Sequence, residues 1–250
     1  SCYAKWRMSV GLPDYSNSDR IIVGSQWSRS DLIDNYSQSP DRVFALPYPI
    51  DLQRFRPTSA ARSKNGRLRI LWLGRFIPRK RLDLFLAGLA EAIRAGCDVE
   101  ALVIGSSAFV PNYERLIDEF PYSSRIRHRT SIARSEVPKV LADVDVLAQP
   151  SDDENFGSSV AEALACGIPV VVGKTNGTRD YICDRSIALP DDSPSSMAQA
   201  IASMIELKSS GELRDHAPSR DAAEHHFEPS SVLEQLIAIL NDASTEFSAK

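Results

Sequence analysis

Two cations and two carboxylates carry the chemistry that can be read from this sequence. Arg75 and Lys80 are separated by a turn containing Pro78, so both can point at one diphosphate, Arg as a bidentate fork and Lys as a point charge. Without a bound metal, such cations would have to stabilise a departing nucleotide diphosphate. The same spacing fits a solvated basic loop ahead of a helix, and spacing alone does not separate the two. Glu154 and Glu162 bracket the seven residues Asn155-Phe156-Gly157-Ser158-Ser159-Val160-Ala161. With a helix starting near Gly157, Glu154 falls in the preceding loop and Glu162 in the second turn. Backbone N–H groups at such a start bind anions or sugar oxygens, and carboxylates accept hydrogen bonds from vicinal hydroxyls. Ordinary surface acids near a helix start would look the same. Asp152 and Asp153 read as solvated, dipole-compensating acids rather than metal ligands, and no metal is expected.

The elements that must position these groups alternate. Periodicity predicts strands over 68–73, 99–104, 126–129, 144–148 and 169–172, separated by helices over 81–95, 112–120, 135–142 and 158–166. The helix 81–95 places Leu82, Phe85, Leu86, Leu89 and Ile93 on one face, and Gly96 follows as a left-handed cap. Near-continuous apolar runs such as Ile70-Leu71-Trp72-Leu73 and Val170-Val171-Val172 indicate strands buried on both faces, hence a doubly wound parallel α/β sheet. In such a sheet ligands bind beyond the carboxyl ends of the strands. The residues that follow the strands there are Gly74-Arg75 through Lys80, Gly105-Ser106, Thr130-Ser131, the segment 149–157 and Gly173-Lys174-Thr175. Cations, small residues and a carboxylate cluster thus converge on one rim, which suits a ligand carrying phosphates and hydroxyls. Helices over 197–207 and 229–240 close the chain.

Ahead of this domain the pattern gives a strand over 20–24, a polar helix near 28–36 and a strand over 42–46. Two strands bury no core alone. The proline-punctuated stretch 47–57 reads as an extended interdomain linker, followed by a polar loop to Gly66. The expected division is therefore 1–46, the remnant of an upstream domain; 47–66, the linker; 67–228, the Rossmann-like domain; and 229–250, a terminal helix and tail. The 250 residues open on Ser1, and the chain reads as a piece of something longer.

Composition narrows the class. A formal net charge of −4 argues against nonspecific nucleic-acid binding, which needs a clustered basic face. Cys2, Cys97, Cys166 and Cys183 lie far apart with no C-x-x-C pair, so neither a zinc ribbon nor a thioredoxin-like motif can be written. No apolar run reaches the roughly 18 residues of a membrane span, and no signal peptide opens the chain. A cytoplasmic protein with at most peripheral membrane contact is expected. Asn35-Tyr36-Ser37 and Asn176-Gly177-Thr178 match the glycosylation tripeptide by accident on this reading.

Gly74-Arg75 with Lys80, Pro150-Ser151, Glu154-Asn155-Phe156-Gly157, Glu162-Ala163 and Gly167-Ile168-Pro169-Val170-Val171 resemble the donor domain of family 4 GT-B glycosyltransferases over most of 68–182. The resemblance implies transfer from a nucleotide-diphosphate sugar with retention of configuration and no obligatory metal or other cofactor. It implies that Arg75 and Lys80 bind the donor diphosphate, that Glu154 contacts the transferred sugar and that Glu162 holds the ribose. Asn155, Phe156 and Gly157 would supply backbone contacts, with Gly74, Ser106 and Thr130 completing the site. Residues 19–57 resemble the end of the acceptor domain and the linker, with Tyr48-Pro49 where the family commonly has Asn-Gly. The acceptor, a glycan or a lipid-linked sugar, would bind in a missing N-terminal domain.

Other readings compete. Gly173-Lys174-Thr175 suggests a P-loop, but that motif needs a glycine where Ile168 stands. A nicotinamide dehydrogenase needs G-x-G-x-x-G, and Phe76 occupies a position where backbone must approach the pyrophosphate. A nucleotide-sugar epimerase of the same architecture and a non-catalytic nucleotide-sugar-binding module both remain as alternatives, with Glu154 and Glu162 favouring transfer. His225-His226 are read as exposed and receive no role.

Overall fold

The computed structural model describes residues 15, 17–58, 66–107 and 113–248. Its centre is a sheet of six strands, β3 (Leu68–Leu73), β4 (Val99–Ile104), β5 (Ile126–Arg129), β6 (Val146–Gln149), β7 (Val170–Val172) and β8 (Ile187–Ala188). They lie in the order β5-β4-β3-β6-β7-β8, and every pairing is parallel. This sheet starts in its middle, at β3, and winds outward both ways. The order reverses between β3 and β6, so a crevice opens beyond their carboxyl ends.

Side chains of each strand alternate between the two faces. Leu68, Ile70 and Trp72 join Val99, Ala101 and Val103 in a core against α2 (Leu82–Arg94) and α6 (Pro194–Ser210). Leu71, Ile104 and Leu147 belong to the core of the opposite face, with α4 (Val137–Ala142), α5 (Ser158–Ala165) and α7 (Ala217–Phe227). Each large apolar side chain so buried contributes about 1.5–3 kcal/mol. Trp72, Phe76 and Phe85 are among the largest that are fully enclosed.

Several expected elements shift. The helix expected over 112–120 is only the turn α3 (Arg115–Asp118) among the described residues, and position 112 lies outside them. A 3₁₀ turn, Arg134–Glu136, takes the start of the helix expected over 135–142, leaving Pro138 in the first turn of α4, where its missing N–H costs nothing. Strand β6 begins later than 144, because Asp145 instead exchanges bonds with Arg69. Helix α7 and strand β8 were not expected: α7 carries polar residues with little apolar periodicity, and β8 has only two residues.

The first elements form a separate two-stranded parallel sheet, β1 (Ile21–Val23) with β2 (Val43–Ala45), backed by α1 (Gln26–Tyr36). The stretch expected as an extended linker packs against the large domain instead. Ile50, Leu52 and Phe55 are buried in the same core as α5 and α7, and the Arg220 side chain of α7 donates to the carbonyls of Leu52 and Phe55 at 3.2 and 2.8 Å. The loop expected beyond it lies mostly outside the described residues. Helix α8 (Pro229–Ser248) closes the chain on α7, anchored by buried Val232. No helix among the described residues is long and apolar enough to cross a membrane.

Candidate functional site

A cavity of about 470 Å3 opens at the carboxyl ends of β3, β4 and β5. Its wall includes Gly74 and Arg75 after β3, Ser106 after β4, Thr130 after β5 and Glu162 from α5. Five residues singled out by type and spacing therefore share one cavity. The loops after β3 and β4 can meet this closely because position 105 is glycine. Its φ is +156°, and a Cβ there would run into the carbonyl oxygen of Gly74. The Gly74 N–H donates to Ile104 O at 3.0 Å and the Phe76 N–H to Ser106 O at 3.1 Å, fixing both loops.

Glu162 is not an ordinary surface acid. Its side chain is 12% exposed, and burial raises its carboxyl pKa against the opposing fields of Arg134 and Arg54. The Arg134 guanidinium stands 3.6 Å from Glu162 Oε1.

Lys80 and Glu154 lie together beside the cavity. The Lys80 ammonium pairs with Glu154 Oε2, while Arg79 Nη1 stands 2.8 Å from Oε1. The Lys80 stem passes Gly74, a glycine of the cavity wall, its Cδ lying 3.8 Å from where a Cβ would be. Burial lowers the Lys80 pKa, the Glu154 charge opposes this, and the Arg79 and Arg75 charges lower it further. Arg75 and Lys80 thus contribute to one positive field, though Arg75 lines the cavity and Lys80 is engaged by a carboxylate.

Asp152 corrects the reading of solvated acids. It is 7% exposed, and Arg81 Nη1 donates to its Oδ2 at 3.0 Å. Burial raises its pKa, which Arg81 only partly offsets. Among the described residues no group of acids, histidines and cysteines could hold a metal ion.

Asn155, Phe156 and Gly157 turn the chain from Glu154 into α5. Asn155 Oδ1 accepts from the Gly24 N–H at 2.8 Å, and its Nδ2 donates to Tyr48 Oη at 3.0 Å. Phe156 is buried against Tyr48, Phe227 and Tyr181, with ring centroids 4.8, 5.6 and 6.4 Å away. Their side chains join the small sheet, the preceding segment and the large domain. Gly157 precedes the first turn of α5. His226 is half-buried and packs on Tyr181 at 5.1 Å, which departs from the expected exposure.

The family model "Glycosyl transferases group 1" matches residues 56–221. This chain belongs to that family. The group 1 match spans β3 to α7 and so contains the whole cavity. A D-inositol 3-phosphate glycosyltransferase of Segniliparus rotundus is 30% identical over 206 residues, covering 76% of this chain and 45% of its own. The GPI3 subunit of a phosphatidylinositol N-acetylglucosaminyltransferase from Saccharomyces cerevisiae is 24% identical over 240 residues, 94% of this chain and 53% of that protein. The chain spans about half the length of the curated relatives it matches. Among solved structures, Anabaena HepE in complex with UDP-glucose superposes with a TM-score of 0.77 at 19% identity, over 96% of this chain and 68% of that one. Sucrose-phosphate synthase from Thermosynechococcus elongatus gives 0.76 at 21% identity, over 94% and 60%. These likenesses establish a GT-B-type Rossmann-like fold for this group 1 domain.

Sequence reasoning gave no role to Arg79, Arg81 and Arg134, and placed Ser131 only among the residues that follow a strand. A signal was available for the first two: three consecutive cations, Arg79-Lys80-Arg81, stand in the chain opposite the acidic run Asp152-Asp153-Glu154. Arg134 carried no comparable pattern, and it reaches the cavity wall from the 3₁₀ turn that follows β5.

Proposed function

We propose that this chain is the donor-binding part of a retaining, family 4 type GT-B glycosyltransferase. It takes a nucleotide-diphosphate sugar and transfers the sugar to a glycan or lipid-linked acceptor held by an upstream domain, of which residues 1–46 are the final part. The observation that carries this reading is the convergence of Gly74, Arg75, Ser106, Thr130 and Glu162 on one cavity, with Lys80 and Glu154 at its flank.

In this reading Arg75 and Lys80 neutralise the diphosphate as it departs, a task for preorganised cations. Glu162 accepts hydrogen bonds from the ribose hydroxyls, and Glu154 faces the transferred sugar, where its charge favours the cationic character that develops at the anomeric carbon. Backbone N–H groups of Asn155, Phe156 and Gly157 donate to sugar and phosphate oxygens at the start of α5. No metal or other cofactor enters the reaction. The wide spacing of the cysteines in the sequence, with no C-x-x-C pair, supports a reducing, cytoplasmic setting.

The test is a paired titration of Glu162→Gln and Glu154→Gln with UDP against UDP-glucose, and with GDP against GDP-mannose. Glu162→Gln is expected to weaken nucleotide and nucleotide sugar alike, since ribose is common to both. Glu154→Gln is expected to leave the nucleotide nearly untouched and to reduce the preference for the sugar conjugate. Equal losses for the bare nucleotide in both variants would remove Glu154 from the sugar.

A further inference from the structure

The Glu154 carboxylate is held on both oxygens by adjacent residues of one turn, Arg79 on Oε1 and Lys80 on Oε2. The next residue, Arg81, bonds Asp152 at 3.0 Å, and the Asp152 N–H donates to Arg79 O at 2.8 Å. Three consecutive cations thus meet two acids of the loop after β6. Backbone strain gathers at the same contact. Three non-glycine residues among those described have positive φ, and two of them, Arg81 at 50° and Asp153 at 47°, belong to these two segments. Such conformations persist only where the surroundings over-determine them, and they cluster at functional sites.

The two partners of Glu154 are not equivalent. Lys80 reaches it along the cavity wall beside Gly74, on a flexible stem that ends in a compact charge with three rotatable donors. Arg79 presents a planar guanidinium, and its backbone is pinned by Asp152. A diphosphate in the cavity competes with Glu154 for Lys80, because a charge-assisted bond to phosphate replaces one to carboxylate. If Lys80 were the sole partner, its departure would leave a nearly buried carboxylate uncompensated, which is strongly unfavourable.

Resting on the donor-site reading above, we propose that Arg79 is the resident partner of Glu154 and Lys80 the exchangeable one. The donor diphosphate takes Lys80 from Glu154, and Arg79 then holds the carboxylate alone, oriented toward the sugar. Arg79 is a positioning residue, and the turn 79–81 works as a latch that trades one of its three cations.

The experiment is calorimetry on the 250-residue chain with UDP and UDP-glucose, and with GDP and GDP-mannose as a second pair, for wild type, K80A, R79A and R79K. K80A is expected to weaken both members of the bound pair by a similar factor. R79A should weaken the nucleotide sugar about threefold or more beyond the nucleotide, a gap of roughly 0.65 kcal/mol at RT of about 0.59 kcal/mol, and R79K should restore part of that gap by returning the charge. A ratio unchanged in R79A, or equal losses for both ligands with a lowered melting temperature, would overturn the latch while leaving the donor site standing. Wild type that binds neither pair would refute the donor site itself. If R79A does not fold, R79Q keeps a polar side chain without the charge and reads the same ratio.

Discussion

Two buried lysine–carboxylate pairs sit at the two ends of strand β6. At the amino end Asp145 bonds Lys208 of α6 at 2.6 Å and accepts from the Arg69 N–H at 2.8 Å. Their side chains are 1% and 6% exposed. At the carboxyl end Glu154 pairs with Lys80 and Arg79, between two loops with left-handed residues. The ionic chemistry is the same and the backbone is not. Lys208 stands inside a helix of 17 residues, and Asp145 exchanges bonds with the backbone of Arg69 near the start of β3, so that pair fastens α6 to the sheet. The Glu154 pair borders a cavity, and its carboxylate carries a cation on each oxygen. Position relative to strand direction separates them: the Asp145 pair is a rivet, and the Glu154 pair stands at the end of the sheet where the cavity opens.

The largest effect should come from breaking the rivet. Lys208→Met leaves the buried Asp145 with only Arg69, 3.9 Å away, as a counter-charge, and is expected to cost up to about 3–5 kcal/mol of stability, read as a lower urea midpoint, with nucleotide affinity in the surviving folded protein unchanged. Asp145→Asn combined with Lys208→Met should recover part of that loss. Lys80→Ala tests the other end: nucleotide diphosphate affinity should fall by about 1.5–3 kcal/mol, while the urea midpoint moves less than for Lys208→Met because Arg79 still covers Glu154. Equal destabilisation by both substitutions would erase the contrast.

A smaller, pH-dependent effect sharpens it. Burial raises the Glu162 pKa above its ordinary 4.5, so in the folded protein this group takes up its proton at a higher pH than a free glutamate does. The protonated form accepts fewer ribose bonds, so nucleotide affinity should decline on acidification through the raised pKa. The sign for stability is opposite, because a raised carboxyl pKa means that the folded state binds the proton more tightly, and this contribution favours folding as the pH falls through the same window. Titrations of wild type and Glu162→Gln from neutral into the acid range should show the wild-type decline and a flatter profile in the variant.

Much of the sheet was legible because β3, β4 and β5 are apolar or strongly bounded runs whose limits coincide with the expected strands. The rim residues were legible for a related reason: in a parallel sheet, whatever follows a strand lands at one end. The state of the acids was not. Nothing in Asp152-Asp153-Glu154 tells that Arg81 turns left-handed at the start of α2 and reaches across to Asp152. The segment around Ile50, Leu52 and Phe55 was read from its prolines as a linker, whereas tertiary packing against α7 decides its place. Helix α7 escaped for the converse reason: its stability comes from Ala223 and Phe227 against neighbours, not from a pattern of its own.

Asn155 couples mechanics to chemistry. One amide grips the Gly24 N–H at the end of β1 and Tyr48 Oη of the segment after β2, and the next residue toward the N-terminus is Glu154. Gly24 presses so near that a Cβ there would sit 2.7 Å from the Phe156 Cβ. Hydrogen bonds tolerate only a few tenths of an ångström of stretch before they weaken steeply. A torque that rotates the small sheet about the large domain would therefore load this amide, together with the Tyr181 Oη–Gly24 O bond, and pull on the loop that carries Glu154. The carboxylate beside the cavity is thus one peptide bond away from the amide that ties the small sheet to the large domain.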